Sequence, residues 1–173
     1  SYDGFRNLSL FSGVMPRFLS NISNSSSAFG IRLIVPYTIY MSTEETVFTK
    51  IIKREIPADI VYEDDISIAF LDINPVSKGH ILLVTKDPHP WMTDIPDELI
   101  AKTFIKAKEI MVVMKGAIGC DYVQLTITGT DVPHFHIHLI PRYFDDLLLS
   151  WPKTSYGSDM EKSEYISKIK RSL

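Results

Sequence analysis

The chain has 173 residues, of which 45% are hydrophobic and 23% are charged, and a formal net charge of -3 at pH 7. This length and composition are typical of one globular domain with a sizeable hydrophobic core. The acidic balance argues against binding to a nucleic acid polymer, and no apolar run is long enough to cross a membrane. We therefore expect a small-molecule substrate.

The first forty residues differ in composition from the rest of the chain. They include the run Ser25–Ser27 and three arginines against a single acid, Asp3. Such a composition is typical of an organelle transit peptide, while the alternative is translated upstream sequence before a natural start at Met41. A cytoplasmic location is expected without a transit peptide, and a mitochondrial or plastid location with one. The expected boundaries are an extension at 1–40, a folded domain at 41–145 and a C-terminal tail at 146–173.

The first half of the domain predicts one short helix and three strands. Thr46 can cap a helix that extends to about Arg54, before Pro57. Alternating and continuous apolar runs then predict strands. These strands are Ile60–Glu63, Ser67–Leu71 and Gly79–Thr85, with Asp64 and Asp65 in a hairpin turn and a loop at 72–78.

The second half predicts a long helix, two more strands and a final helix. Thr93 or Asp94 can cap a helix from near Pro96 to Lys115, which Gly116 or Gly119 would end. Its expected buried side consists of Leu99, Phe104, Ala107, Ile110, Met111 and Met114. The later elements are strands at Tyr122–Thr128 and His134–Ile140 and a capped helix starting at Ser158, with Tyr165, Ile166 and Ile169 on one side.

This order of elements, with short links between strands, predicts an α+β domain with a five-stranded, mostly antiparallel sheet. Cys120 is the single cysteine, so no internal disulfide bond can form. We interpret it as a structural thiol in a reducing compartment.

Three histidines alternate with apolar residues in the last predicted strand. His134, His136 and His138 fall at every second position, so they share one face of that strand. Phe135, Ile137 and Leu139 would share the opposite face, towards the core. A strand gains little from burying three imidazoles, because each needs a hydrogen-bond partner. The row therefore indicates an active site.

Two chemistries use rows of histidines. Two of them could bind a metal ion if His80 or Asp131 completed the site, but all three cannot reach one ion from a straight strand. Alternatively, a neutral imidazole can attack phosphorus while its neighbours donate hydrogen bonds to phosphate oxygens. The covalent phospho-histidine would then be hydrolysed by water.

The segment His134–Ile140 matches the pattern His-φ-His-φ-His-φ-φ, where φ is apolar, and it resembles the signature of the histidine triad (HIT) superfamily of nucleotide hydrolases and transferases. Val47–Ala58 is similar to the opening helix of that family. The following segments resemble its successive strands in order and spacing: Tyr62–Asp65, Ala69–Pro75 and Gly79–Val84. The resemblance covers about residues 46–142.

The resemblance implies a HIT-like α+β fold, usually a homodimer, that binds a purine nucleotide beside the triad without a metal or a cofactor. It implies that His136 is the nucleophile, His138 contacts the phosphate, His134 supports the nucleophile and His80 is an additional histidine near the site. Asp72 would accept ribose hydroxyls, although its residue type and place alone indicate a turn cap. The implied base pocket comprises Val47, Phe48, Ile51, Ile56 and Ile73, which would otherwise be interpreted as core.

The predicted function is hydrolysis or transfer at the α-phosphate of a purine nucleotide, with cleavage of a phosphoanhydride or phosphoramidate bond. The sequence is compatible with both a nucleoside phosphoramidase and a dinucleoside polyphosphate hydrolase. Asp131 departs from the family pattern, since relatives often place a neutral phosphate donor there and a carboxylate repels phosphate. The alternative is therefore a nucleotide-binding or zinc-binding module with reduced turnover. His89 is interpreted as a solvent-exposed loop residue.

Overall fold

The structure is a computed structural model, and it describes residues 45–146 and 153–173. The predicted extension at 1–40 and the start at Met41 lie outside these residues. The fold class is α+β, as the sequence predicts. The helices are α1 (Val47–Ile52), α2 (Asp97–Ile118) and α3 (Asp159–Ser172), and the strands are β1 (Ile60–Glu63), β2 (Ser67–Leu71), β3 (Ile81–Thr85), β4 (Tyr122–Thr126) and β5 (His136–Arg142).

The five strands form one sheet in the order β1-β2-β3-β5-β4, and every neighbouring pair is antiparallel. Asp64 closes the hairpin between β1 and β2, because its carboxylate accepts the backbone N–H groups of Ile66 and Ser67. Short polar side chains bond to nearby backbone in this way at turns. The predicted hairpin and sheet type are confirmed.

The helix ends follow their capping residues, with one correction. The Thr46 hydroxyl accepts the N–H of Thr49 at the start of α1, and Gly119 ends α2 with a φ of 77°, which glycine adopts without strain. Thr93 and Asp94 do not cap α2, because they lie in a separate 3-10 helix, Met92–Asp94. Pro96 occupies the cap position instead, and α2 extends beyond Lys115 to Ile118.

Both strands on the triad side differ in their bounds from the predictions, because β4 is shorter and β5 is shifted by two residues to His136–Arg142. β4 ends at Thr126, the residue that pairs with His138 in the ladder. β5 begins at His136 rather than His134, because the two preceding N–H groups are used outside the sheet. The N–H of His134 donates to the carbonyl of Val132, and that of Phe135 donates to the carbonyl of His89. β3 similarly begins at Ile81 rather than Gly79.

The sheet has a closed face and an open face. On the closed face, α2 and α3 cover an aliphatic core that contains Leu71, Ile81, Leu83, Ile137 and Leu139. The predicted buried side of α2 is confirmed, since Ala107, Ile110 and Met114 are buried and Leu99, Phe104 and Met111 pack against the same core. Thr103 is also buried there, and Ile169 is the buried residue of α3.

On the open face, α1 covers only part of the sheet. Phe48 and Ile51 pack against a second apolar cluster formed by Ile68, Phe70, Leu82 and Val84. The rest of this face remains accessible beside β5. Cys120 is buried, as expected for a structural thiol. Across residues 45–146 and 153–173, the helices are all too short or too polar to span a membrane.

Candidate active site

A cavity of about 810 Å³ lies on the open face of the sheet, beside β5. This volume is within the usual range for a small-molecule site. His136 and His138 form part of its wall, and apolar side chains of α1 form another part. The cavity therefore combines an apolar region with two imidazoles.

The ring of His136 is oriented by the backbone just before its own strand. Its Nδ1 atom lies 2.7 Å from the carbonyl oxygen of His134 and must donate its proton there. In the neutral ring this assignment leaves Nε2 unprotonated, with a lone pair. Phe48 packs edge-on against the ring at 5.0 Å between centroids, which limits its rotation. The arrangement suits Nε2 for nucleophilic attack.

His134 contributes to the site through its carbonyl group rather than its ring. The ring is fully buried, and Nε2 donates to the carbonyl of Thr85 at 2.7 Å. Its Nδ1 atom then accepts the hydroxyl proton of Thr46 at 3.1 Å. His134 therefore connects the cap of α1 to β3, while its carbonyl orients the ring of His136.

His80 and His138 form a directed chain of hydrogen bonds. The N–H of Val76 donates to Nδ1 of His80, so the proton of His80 lies on Nε2. That Nε2 donates to Nδ1 of His138 at 3.1 Å, which places the proton of His138 on its own Nε2. This second Nε2 lies 3.1 Å from the hydroxyl of Thr128. The chain therefore ends in a donor at the cavity wall.

Burial keeps the four histidines neutral at pH 7. Removal from water is the largest effect on each ring, and it lowers the pKa of His80 to about 4 and that of His138 to about 3. The pKa values of His134 and His136 are lowered for the same reason. At His136 the hydrogen bond to the carbonyl of His134, followed by the carboxylates of Asp72 and Asp131, partly opposes this effect. A neutral His136 is the form that can act as a nucleophile.

Asp72 lies at the end of β2, beside His80. One carboxylate oxygen accepts the N–H of Asn74 at 2.8 Å, which is the turn cap expected from its residue type. The other oxygen lies 3.4 Å from Nδ1 of His80. The side chain also lines the cavity, so a ligand can reach it. Its predicted contact with ribose hydroxyls stays a prediction.

The five apolar residues of the implied base pocket all line the cavity: Val47, Phe48, Ile51, Ile56 and Ile73. Only Phe48 and Ile51 are buried core residues. Ile73 is 86% exposed and Val47 is 41% exposed, so the core interpretation is wrong for these two. Their exposed apolar surface is available to a ligand.

The loop before β5 places a carboxylate at the cavity. Asp131 lines the cavity with Thr128 and Thr130, and it is solvent-exposed. Its nearest polar side-chain contact is the hydroxyl of Thr130 at 3.4 Å. Solvent weakens the repulsion that this carboxylate exerts on a bound phosphate.

The prediction of a solvent-exposed His89 is wrong. The side chain is only 23% exposed, its Nε2 atom is buried without a hydrogen bond, and its carbonyl holds the N–H of Phe135. Two cavity-lining lysines, Lys153 and Lys162, were missed by the sequence reasoning. No sequence motif marks either lysine as a cavity residue, because both reach the cavity only through contacts that the C-terminal segment makes with distant parts of the chain.

One group of side chains in the described segments could hold a metal ion. Asp72, His80 and His138 each offer a ligand atom within 4.8 Å of the others, and both imidazoles are buried. Of the two residues that the sequence offers to complete such a site, only His80 belongs to this group. A metal ion here would have to replace the hydrogen bond between the two histidines.

Comparisons with known proteins place this geometry in a family. The sequence pattern of the HIT domain matches residues 53–145. The chain is 34% identical over 137 residues to adenylylsulfatase HINT3 from Arabidopsis thaliana, covering 75% of this chain and 70% of that protein. It is 36% identical over 105 residues to purine nucleoside phosphoramidase from Escherichia coli, covering 56% and 87% respectively.

Solved structures have the same architecture. A zinc-bound histidine triad family protein from Mycobacterium smegmatis matches with a TM-score of 0.65 at 26% identity, covering 73% of this chain and 91% of that one. The similarity therefore extends over most of the part that the structure describes.

Proposed function

This chain belongs to the HIT-domain family, and on that premise we propose that it hydrolyses a phosphoramidate or phosphoanhydride bond at the α-phosphate of a purine nucleotide. His136 is the nucleophile, and the intermediate is a nucleotidyl-histidine. The observation that carries the proposal is the bond from Nδ1 of His136 to the carbonyl of His134, because it leaves Nε2 unprotonated at the cavity wall.

The reaction has two displacements at phosphorus. Nε2 of His136 attacks the α-phosphorus, an N–P bond forms, and the bond to the leaving group breaks with its electron pair on the departing atom. Water then attacks the same phosphorus and loses a proton, the N–P bond breaks, and the nucleoside monophosphate departs. Both displacements develop negative charge on the phosphate oxygens, where nearby donors are most effective.

His138 supplies such a donor. The chain from Val76 through His80 keeps a proton on Nε2 of His138, directed towards the cavity and Thr128. A bound phosphate oxygen or a leaving nitrogen would accept a hydrogen bond from this N–H in place of the threonine hydroxyl. The N–H proton stays on the neutral ring, so an amine leaving group must take up its proton from solvent, whereas a weakly basic anion can leave without one.

The remaining residues bind the nucleoside. The apolar region of the cavity fits a purine ring, and the exposed sides of Val47 and Ile73 would become covered when it binds. Asp72 lines the cavity beside His80, and its carboxylate would accept ribose hydroxyls. Adenylyl sulfate, nucleoside phosphoramidates and dinucleoside polyphosphates are the substrates to compare.

Capture of the intermediate tests the proposal. Protein quenched during turnover of adenosine 5'-monophosphoramidate should carry an adenylyl group on His136, located by peptide mass spectrometry. His136→Ala should lower kcat at least about a thousandfold, whereas the matched variant His89→Asn should remain within about threefold of wild type. Equal turnover in wild type and His136→Ala would contradict the assignment.

A second candidate is a nucleotide-binding or zinc-binding protein with reduced turnover. The specific observation in its favour is the grouping of Asp72, His80 and His138 within 4.8 Å. Elemental analysis after dialysis against zinc should then find one ion per chain, lost in His80→Asn. Turnover by protein without bound zinc would support the hydrolase and contradict the zinc-binding alternative.

We also propose a homodimer. Ile105 and Val112 are 60% and 67% exposed on one side of α2, and Tyr122 is 40% exposed on the neighbouring edge strand β4. Residues seven apart share a helix face, so the two α2 side chains are exposed apolar positions on one face, with Lys108 and Glu109 between them. Sedimentation should show a dimer that Val112→Glu dissociates, whereas Lys170→Glu on the exposed side of α3 should leave it intact.

The compartment stays a prediction. A cytoplasmic location is proposed for the domain, with a mitochondrial or plastid location as the alternative if residues 1–40 act as a transit peptide. Fluorescent fusions of residues 1–173 and 41–173 would separate these cases, because only the longer chain should enter an organelle if the extension is a targeting signal.

A further inference from the structure

The C-terminal segment beyond the matched HIT domain borders the nucleotide cavity. Lys153 and Lys162 line the cavity, and three hydrogen bonds fasten this segment to the loop before β3. The N–H of Thr154 donates to the carbonyl of Pro75 at 2.7 Å, and the N–H of Gly79 donates to the hydroxyl of Tyr156 at 2.8 Å. Lys78 and Glu161 form an ion pair at 2.5 Å. The segment is therefore a fixed part of the wall.

The two lysines are the basic side chains among the described residues that line the cavity. They differ in whether their charge is already neutralised by an ion pair. Lys162 is paired with Asp59, a carboxylate of the same cavity wall. Lys153 is exposed and forms no hydrogen bond or ion pair with the described residues. Its charge is the one available to a ligand.

A bound nucleotide needs such a charge. The phosphate of a nucleotide substrate is negative, and an anionic leaving group adds at least one further charge. The buried histidines donate hydrogen bonds but are neutral, so they supply no compensating positive charge. Asp131 adds a negative charge on the loop before β5. A substrate with an anionic leaving group therefore requires a cation beyond the triad.

We propose that Lys153 is a specificity-determining residue that favours substrates with an anionic leaving group, such as sulfate or phosphate, over those that release an amine. This inference rests on the proposed function. With sulfate, the P–O bond breaks, its electron pair stays on the sulfate oxygen, and no proton is required. The ammonium of Lys153 offsets the charge that accumulates on that oxygen. An amine leaving group takes up a proton and gains nothing from a nearby cation.

The experiment compares adenylyl sulfate with adenosine 5'-monophosphoramidate as substrates of the full chain. Lys153→Gln should lower kcat/KM for adenylyl sulfate about tenfold and leave the phosphoramidate within about twofold. Lys153→Arg should restore most of the preference. Asp131→Asn should act in the opposite direction and raise kcat/KM for adenylyl sulfate. Lys170→Gln, which changes an exposed lysine of α3, is the matched control and should alter neither substrate.

A binding measurement separates this inference from the proposed hydrolysis. Calorimetry on His136→Ala, with and without Lys153→Gln, measures ligand binding without turnover. Adding Lys153→Gln should weaken the binding of adenylyl sulfate about tenfold and change the binding of the phosphoramidate little, whether or not the wild type hydrolyses either ligand. Absence of turnover in wild type would contradict the hydrolase proposal alone. Equal effects of Lys153→Gln on both ligands, or no effect on either, would overturn the role of Lys153.

Discussion

The two faces of the sheet are built from the same strands but are covered differently. On the closed face, Leu83 and Ile137 are fully buried under α2 and α3. On the open face, their neighbours His136 and His138 line a cavity that α1 covers only in part. Because successive residues alternate between faces, one strand provides both a core layer and a layer that lines the cavity. Stability and chemistry are therefore expected to depend on adjacent residues of β5.

The largest effect should follow removal of the reactive ring. His136→Gly should lower turnover at least about a thousandfold, because no other imidazole at the cavity wall has an unprotonated Nε2. Added imidazole should restore part of the activity, since the missing ring borders the cavity. Rates with increasing imidazole measure this recovery, with Leu83→Ala as a control that imidazole should not affect. Undiminished turnover by His136→Gly would break the contrast between the faces.

The closed face should give the converse result. Leu83 is fully buried between the sheet and the helices, so Leu83→Ala should lower the free energy of unfolding by about 2–5 kcal/mol. The kcat/KM of the folded fraction should stay within about threefold of wild type. Urea unfolding and assays at low temperature measure the two quantities. A large loss of kcat/KM without loss of stability would show that the two faces are coupled.

Periodicity and turn residues predicted most of this architecture. The alternation through the triad segment assigned Phe135, Ile137 and Leu139 to the core, and the caps at Thr46, Gly119 and Ser158 located helix ends. These signals are local, because a cap or an alternating run acts within a few residues. The sequence could therefore indicate the fold without knowledge of long-range contacts.

The errors concern contacts between distant parts of the chain. β5 begins late because His89, far away in sequence, holds the N–H of Phe135. Lys153 reaches the cavity because Thr154 and Tyr156 bond to the loop before β3. No periodic pattern marks such contacts. The family resemblance indicated the histidines and the apolar wall but offered no sign of the lysines in the C-terminal segment.

Acid should selectively weaken the open face. Each of His80 and His138 has a pKa near 3 or 4 in the folded protein, below the value of about 6.5 in an unfolded chain. Their stabilising contribution is complete above pH 6.5 and is lost as the pH falls towards the folded pKa values. As the pH falls from 6.5 to 5, each histidine should lower the free energy of unfolding with a slope that rises to about 1.4 kcal/mol per pH unit.

Urea unfolding at several pH values above 5 measures this slope without protonating the paired carboxylates. His80→Gln should remove from the slope the contribution of one titrating proton, which is at most about 1.4 kcal/mol per pH unit. The comparison variant is His89→Asn, whose ring lies outside the cavity wall. Stability that is constant or that increases between pH 6.5 and 5 would contradict the neutral histidine chain.

The smallest effect should distinguish backbone strain from packing at the loop that carries His80. Gly79 has a φ of 89°, and a Cβ atom there would lie 2.6 Å from Ile118 and 3.2 Å from Tyr165. Gly119 has a φ of 77°, but a Cβ atom there would meet nothing within 4 Å. Both alanine variants should lose about 1 kcal/mol from backbone strain, and Gly79→Ala should lose about 1 kcal/mol more because Ile118 must move.

Only Gly79→Ala should also lower kcat, because it displaces the residue before His80 and the bond from Gly79 to Tyr156. Parallel unfolding and kinetic measurements on the two variants separate these contributions. If Gly119→Ala reduced kcat as strongly, the loss would reflect general destabilisation, and the attachment of the C-terminal segment would not position His80. A loss confined to Gly79→Ala would instead link the closed face, through Ile118 and Tyr165, to the hydrogen-bond chain on the open one.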